Sequence, residues 1–284
     1  MYFSAACFLF YPTQLWALSD NEDPALLQCA HVGPSHSPCV VHQTWKSHEL
    51  SVEQQSYAET WQKKNPGCEY RLWNDTELAE LCRTKSPKMW SIWESLSPVQ
   101  RADVFRYLVL WDQGGYYADI DVRLEKPIAE FPVPKDVLMI AGYEAGRRLA
   151  EEERKRVKFA RVEQFQQWFL ASAPRHPVLL RCLDIVHEKF LWKIQNTIDL
   201  TGPGSFSDAV HEFLAQGTSK ELHLQQDVKA KRLSFPSETE YGSGEWNIWL
   251  LASGRTEGAG YAIKDDNAEP LLWHNFSHTW TRWR

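Results

Sequence analysis

The order of apolar and polar positions from Ser97 to Ile128, SPVQRADVFRYLVLWDQGGYYADIDVRLEKPI, changes its period once. Val104, Leu108 and Trp111 recur at three- and four-residue intervals, as one buried stripe of a helix does, and Ser97-Pro98 supplies an N-cap and a first-turn proline. The same spacing gathers Asp103, Arg106 and Tyr107 on another face. Gly114-Gly115 stops the helix. Beyond it the pattern alternates, with Tyr117, Asp119 and Asp121 set against Tyr116, Ala118, Ile120 and Val122. That predicts a strand over 116–122 with both aspartates on one face.

Similar patterns extend along the chain. Cys39 to Trp45 reads as a first buried strand, followed by a helix over 51–63. Tyr70 to Trp73 is the next strand, with Asn74-Asp75 capping a helix over 76–82. Val137 to Tyr143 is a further strand and Val178 to Trp192 a further helix. Thr201-Gly202-Pro203-Gly204 opens another helix near 207–214, where free backbone amides can face an anionic or hydroxylated ligand. The stretch Leu272 to Trp280 reads as a loop carrying functional groups. His176 and Gln167 can be acceptor-side groups or, equally, a helix cap and a structural amide. Alternating strands and helices predict an α/β domain with a central, mainly parallel sheet flanked by helices, its ligands gathered at the carboxyl ends of the strands. That domain is expected to span 39–284. Residues 1–38 form an apolar segment and a linker, through which weak membrane association is expected.

Composition narrows the function. With 284 residues and 43% hydrophobic content, the chain can bury a sizeable core. A formal net charge of -6, with no basic stripe, excludes nucleic acid as the expected partner. The six cysteines show no zinc spacing, but Cys29 with Cys39 and Cys68 with Cys82 could close short loops in an oxidising compartment. Asn74-Asp75-Thr76 and Asn275-Phe276-Ser277 are glycosylation sequons. Fourteen tryptophans fill cores or stack on sugars and bases, and Trp45, Trp73 and Trp280 adjoin polar clusters.

Asp119-Ile120-Asp121 carries the chemistry. Carboxylate oxygens suit Mg2+ or Mn2+, ions that leave coordination positions open for substrate phosphates. The alternative is a structural salt-bridge cluster with Arg106 or Arg123. An uncompensated carboxylate pair on a buried strand costs several kcal/mol, which favours the cation.

In order, VHQTWK, NPGCEYRLWND, RADVFRYLVLWDQGGYYADIDVRLEKPI, AGYEAG, QFQQWFLASAPRHPVLL, TGPGSFSDAV and HNFSHTW resemble glycosyltransferase family 32 from about Val40 to Trp280. This group includes the fungal initiation-specific α-1,6-mannosyltransferases and, more distantly, the glucosylating domains of large bacterial toxins. The resemblance implies a GT-A-type fold and transfer with retention from a nucleotide-sugar donor, GDP-mannose or another, to a glycan or glycolipid acceptor in the Golgi or secretory lumen. It implies catalytic roles for Asp103, Arg106 and Asp121, and cofactor or donor contacts for Trp45, Tyr117, Asp119 and Trp280. It also implies a Mn2+ or Mg2+ ion held by Asp119, Asp121 and His274. Where relatives carry Gly-Ser-Trp this chain has His278-Thr279-Trp280, so His278 competes with His274 as the ligand. Rival readings are a catalytically inactive carbohydrate-binding protein of the same fold, a family member using a UDP-sugar or lipid acceptor, and a metal-dependent glycosidase or phosphatase.

Overall fold

The computed structural model describes residues 37–131, 133, 137–144, 150–216, 231–239, 242–251, 253–255, 261–264 and 270–275. The N-terminal segment, Cys7, Cys29, His278 and Trp280 lie outside them. The chain runs β1 (Val40–Thr44), α1 (Val52–Lys64), β2 (Glu69–Trp73), α2 (Asp75–Lys85), α3 (Pro87–Trp90) and α4 (Pro98–Gln113). It continues through β3 (Gly115–Ala118), β4 (Val122–Leu124), β5 (Met139–Tyr143), α5 (Glu151–Val157), β6 (Phe165–Ser172), α6 (Pro177–Leu191), α7 (Thr197–Leu200) and α8 (Pro203–Gln216). The last strands are β7 (Lys231–Thr239), β8 (Gly242–Leu251), β9 (Ser253–Arg255), β10 (Tyr261–Lys264) and β11 (Pro270–His274).

Seven strands form one sheet in the order β2-β1-β3-β6-β5-β8-β7. Parallel pairing of β1 with β2 and β3 and of β5 with β8, with β6 and β7 antiparallel to their neighbours, leaves all strands but those two running one way. The α/β expectation with a mainly parallel sheet therefore holds. A second sheet, β4-β11-β10-β9, lies apart from the first in pairing.

Alternation along β3 divides the core. Tyr117 joins the cluster built from α2, α4, α6 and α8, whereas Tyr116 and Ala118 join the one that contains Trp61 of α1 and residues of β4 and β11. The sheet is thus covered on both faces. Helices α1, α2 and α4 each begin with a complete capping box, from Ser51, Asn74 and Ser97, which satisfies amide groups the first turn would otherwise leave open.

The Gly114-Gly115 break is steric as well as conformational. Both residues have positive φ, 70° and 96°, and a Cβ on Gly115 would stand 2.5 Å from the Val40 carbonyl oxygen. Only glycine lets α4 turn directly into β3 beside β1.

Two expectations are corrected here. The predicted strand over 116–122 is interrupted: β3 ends at Ala118, Asp119 to Asp121 form a turn, and β4 starts in the other sheet. The amide of Val122 closes that turn on the Asp119 carbonyl at 3.0 Å. The expected loop at 272 onward is instead a strand as far as His274.

The disulfide is also re-paired. Cys39 bonds Cys68, while Cys82 is a buried free thiol within α2's core-facing side. Parallel pairing of β1 and β2 explains this, because Glu69 donates to the Cys39 carbonyl and sets the two strand starts side by side. With a sequence separation of 29, the cross-link should contribute roughly 3–4 kcal/mol by restricting the unfolded chain. Urea unfolding with and without reductant checks it: the midpoint falls on reduction, and an unchanged midpoint would refute the assignment of stability to this bond.

Candidate active site

The Asp119-Ile120-Asp121 turn sits where the chain passes from the large sheet into the small one, and it is braced from three sides. The Gln43 side chain donates to the Asp119 carbonyl at 2.9 Å and itself accepts from the Tyr70 hydroxyl at 2.7 Å. The Trp61 indole donates to the Val122 carbonyl at 2.9 Å, and Leu124 donates to the Thr60 hydroxyl at 3.0 Å. Asp119 donates its amide to the Trp168 carbonyl of β6 at 2.9 Å. Strands β1, β3 and β6 and helix α1 thus hold one short turn, which fixes the carboxylates with little freedom to lose when a ligand arrives.

Helix α4 supplies the charged floor. Residues 103 to 110 are all buried, so the face bearing Asp103, Arg106 and Tyr107 packs inward instead of facing solvent. Arg106 Nη2 reaches Asp103 Oδ1 at 3.0 Å and Asp119 Oδ1 at 3.2 Å, and Nη1 donates to the Gln167 carbonyl at 3.1 Å. Its guanidinium lies over the Tyr117 ring, 4.9 Å from the centroid. The Tyr117 hydroxyl donates to Asp119 Oδ1 at 2.9 Å. One oxygen of Asp119 is therefore occupied by Arg106 and Tyr117, which leaves Oδ2 for a ligand. Arg123, the other salt-bridge candidate, pairs with Glu125.

Asp103 is held by Gln167 Nε2 at 2.9 Å and the Thr201 hydroxyl at 2.8 Å as well as by Arg106. Burial pushes its pKa up to about 6, against the opposing pull of Arg106. Burial raises Asp119 also, with Arg106 again opposing. For Arg106, burial works against the charge, but Asp119, Tyr117 and Asp103 outweigh it and drive the pKa upward. The guanidinium is the counter-charge for both carboxylates.

His274 arrives from the other end of the chain. Antiparallel pairing of β11 with β4 puts His274 opposite Val122, and its Nε2 lies 3.2 Å from Asp121 Oδ1. The imidazole stacks on Trp168, with centroids 4.9 Å apart and an interplanar angle of 18°. Burial lowers the His274 pKa, but the Asp121 hydrogen bond and the charges of Asp121, Asp119 and Glu144 raise it overall. Ligand atoms of Asp119, Asp121 and His274 all lie within 4.8 Å of one another. Two carboxylates and an imidazole on a braced turn fit Mn2+ well, and Mg2+ less well because of the nitrogen donor. When bound, such an ion would neutralise charge building on a leaving phosphate.

The sequence-derived set is thus partly assembled. Asp103, Arg106, Tyr117, Asp119, Asp121 and His274 form one connected group. Trp45 is half-buried just past β1, its amide donating to the Trp73 carbonyl at 3.0 Å, on the sheet edge from which the Asp119 turn emerges. Trp280 and the rival ligand His278 lie outside the described residues. His176 is fully buried and caps α6 by accepting from Val178, and Gln167 holds Asp103, so both serve the structural alternatives.

Sequence reasoning missed Glu144. It follows β5, only 6% exposed, with its amide on the Gln164 carbonyl at 2.8 Å. Burial pushes its pKa up to about 7, and it feels the charges of His274, Asp119 and Arg106. The available signal was a lone acid directly after an apolar strand, in AGYEAG.

Comparison with known proteins agrees with this geometry. Residues 51–139 match the family described as the glycosyltransferase sugar-binding region containing DXD motif. The protein HOC1 of Saccharomyces cerevisiae is 28% identical over 65% of this chain and 52% of its own length. The initiation-specific alpha-1,6-mannosyltransferase of Schizosaccharomyces pombe is 28% identical over 64% of this chain and 50% of its own, and that of Candida albicans 26% over 72% and 61%. The chain thus spans about half the length of the first two relatives and somewhat more of the third. Among solved structures, the PaToxG glycosyltransferase aligns with a TM-score of 0.49 at 18% identity, over 64% of this chain and 72% of that one. By the matched region, the Asp119-Ile120-Asp121 motif inside it and these relatives, the chain belongs to the DXD-containing glycosyltransferases of family 32.

Proposed function

We propose that this chain is a metal-dependent, retaining glycosyltransferase of GT-A type that moves mannose from GDP-mannose to a glycan acceptor. The observation that carries the reading is the convergence of Asp119, Asp121 and His274 within 4.8 Å, directly beside the buried Asp103–Arg106 pair. The mannosyl assignment is supported by the names of the relatives. One of them, the inositol phosphoceramide mannosyltransferase 3 of Schizosaccharomyces pombe, is 31% identical over 44% of this chain, which keeps a phosphorylated lipid among the candidate acceptors.

The chemistry follows from where charge develops. Breaking the sugar-phosphate bond creates positive character on the sugar ring and negative charge on the leaving diphosphate, so a preorganised cationic site lowers the barrier. Asp119, Asp121 and His274 would hold the ion. Arg106 keeps Asp119 ionised and fixed, and it shares this task with the Tyr117 hydroxyl. Asp103, fixed by Gln167 and Thr201, can accept a hydroxyl of the donor sugar without reorganising. Retention then follows if the acceptor attacks from the face the nucleotide leaves, with a phosphate oxygen of the leaving group taking its proton.

A secretory-lumen location, Golgi included, fits this reading, and the Cys39–Cys68 disulfide supports an oxidising compartment. Among the described residues, no helix is long and apolar enough to cross a membrane.

Thermal denaturation with GDP, GDP-mannose, UDP and UDP-glucose, each with and without Mn2+, tests the proposal. A ligand binding only the folded state raises the midpoint by mass action. The expected result is a rise with GDP-mannose that requires Mn2+. No rise with any of them would end the nucleotide-sugar reading, and a larger Mn2+-dependent rise with UDP-glucose would reassign the donor.

A further inference from the structure

Three buried polar groups around the DXD turn are left without a hydrogen-bond partner among the described residues. Arg106 Nε and the Trp168 indole Nε1 are donors sealed from solvent with nothing to donate to. The Glu144 carboxylate is an acceptor that makes no hydrogen bond or ion pair there, although only 6% of the residue is exposed. Buried polar groups are paired in the great majority of cases, and leaving one unpaired is costly. Three such groups in one neighbourhood therefore point to a ligand that pairs them.

Their chemistry says which part of a ligand. Phosphate oxygens only accept, and a carboxylate repels them, so Glu144 is a poor neighbour for a diphosphate. A sugar hydroxyl both donates and accepts, so a ring carrying several can meet two donors and one acceptor together. Topology agrees. Strands β3 and β5 flank β6 and run parallel to each other, so Asp119 and Glu144 both leave the large sheet at the same edge. Trp168 lies between them on β6, with His274 stacked on its ring. The charges of His274, Asp119 and Arg106 all act on Glu144, as they would across one shared pocket.

We propose that Glu144 is a sugar-contacting residue: its carboxylate accepts hydroxyls of the donor sugar and, with Trp168 Nε1 and Arg106 Nε, determines which sugar the site takes. This inference rests on the nucleotide-sugar reading above. Under it, the metal-bearing turn holds the diphosphate, and the Glu144 side holds the sugar ring.

The test compares a nucleotide with its own nucleotide-sugar. Titration calorimetry with Mn2+ measures GDP and GDP-mannose binding to the wild-type chain, Glu144→Gln and Glu144→Ala. Glu144→Gln is nearly isosteric, and its thermal midpoint near neutral pH controls for folding. The expected result is unchanged GDP affinity in both variants, with GDP-mannose weakened about tenfold or more in Glu144→Ala, the size of a lost hydrogen bond to a charged group. Glu144→Gln should fall between, since its amide keeps one acceptor oxygen. GDP-mannose affinity within about twofold of wild type in both variants would overturn the inference alone. Equal weakening of GDP and GDP-mannose would do so too, because it marks a structural role. Wild-type protein that binds neither ligand would overturn the nucleotide-sugar reading and this inference with it.

Discussion

Replacing Asp121 with asparagine is expected to lower Mn2+-dependent sugar transfer by about a thousandfold or more. Asp121 is the carboxylate of the turn that faces His274, at 3.2 Å, and its side chain is 14% exposed. Asparagine keeps the shape and one oxygen but removes the negative charge that a divalent ion requires. Lost transition-state stabilisation of about 4 kcal/mol corresponds to that factor in rate. The Asp119→Asn variant differs in kind, because Asp119 also anchors Arg106 and Tyr117 and the substitution disturbs the floor of the site. The measurement is a rate against Mn2+ concentration for both variants, with the Mn2+-induced rise in thermal midpoint as a second readout. If Asp121→Asn retains the wild-type metal dependence, the ion is not held by this turn.

The parts of this site legible in the sequence are those set by local period. Helix α4 was readable because Ser97-Pro98, the apolar stripe and Gly114-Gly115 all give the same bounds, and it spans Pro98–Gln113. Adjacency of Asp103 and Arg106 followed from helical spacing, and the structure gives a 3.0 Å ion pair. What period could not give was the partner of that face. Asp103, Arg106 and Tyr107 look like a polar exterior in sequence, yet they pack against Gln167 and Thr201, which lie more than sixty residues later. The strand over 116–122 failed for a related reason. Ile120 is buried at 7% and continues the alternation, but the chain there is changing sheets, and the strand that receives it, β11, comes about 150 residues further on.

The metal group shows the same division. Asp119 and Asp121 are visible as a motif, and their convergence was expected from alternation along one strand. They converge instead through a turn, with His274 brought in by β11. The Cys39–Cys68 pairing depends likewise on parallel registry between β1 and β2 that no spacing rule encodes. Glu144 escaped because its environment is the finding: a lone glutamate after an apolar strand is unremarkable until the strand ends at the same sheet edge as the metal turn.

Substituting Arg106 with methionine should destabilise the fold by about 3–5 kcal/mol near pH 8, because it leaves two buried carboxylates without their shared cation. For a chain of this size that corresponds to a drop in thermal midpoint of roughly 10 °C. The side chain is 6% exposed and Asp103's is 4%, so water cannot take over the guanidinium's role at little cost. The pH dependence separates this from simple loss of packing. In the wild type, burial raises Asp103 from 3.8 to about 6, so the folded state holds more protons than the unfolded state between those values and stability declines as pH rises through that window. Arg106 pulls both Asp103 and Asp119 downward. Without it both carboxyls rise further, the window extends to higher pH, and the full penalty is felt only above it. The stability gap between Arg106→Met and wild type should therefore be widest near pH 8 and narrow toward pH 5 as the carboxyls take up protons. Urea unfolding at the two pH values measures it. A gap of equal size at both would mean that Arg106 acts through its aliphatic packing and its contact with the Tyr117 ring, not as the counter-charge of the site.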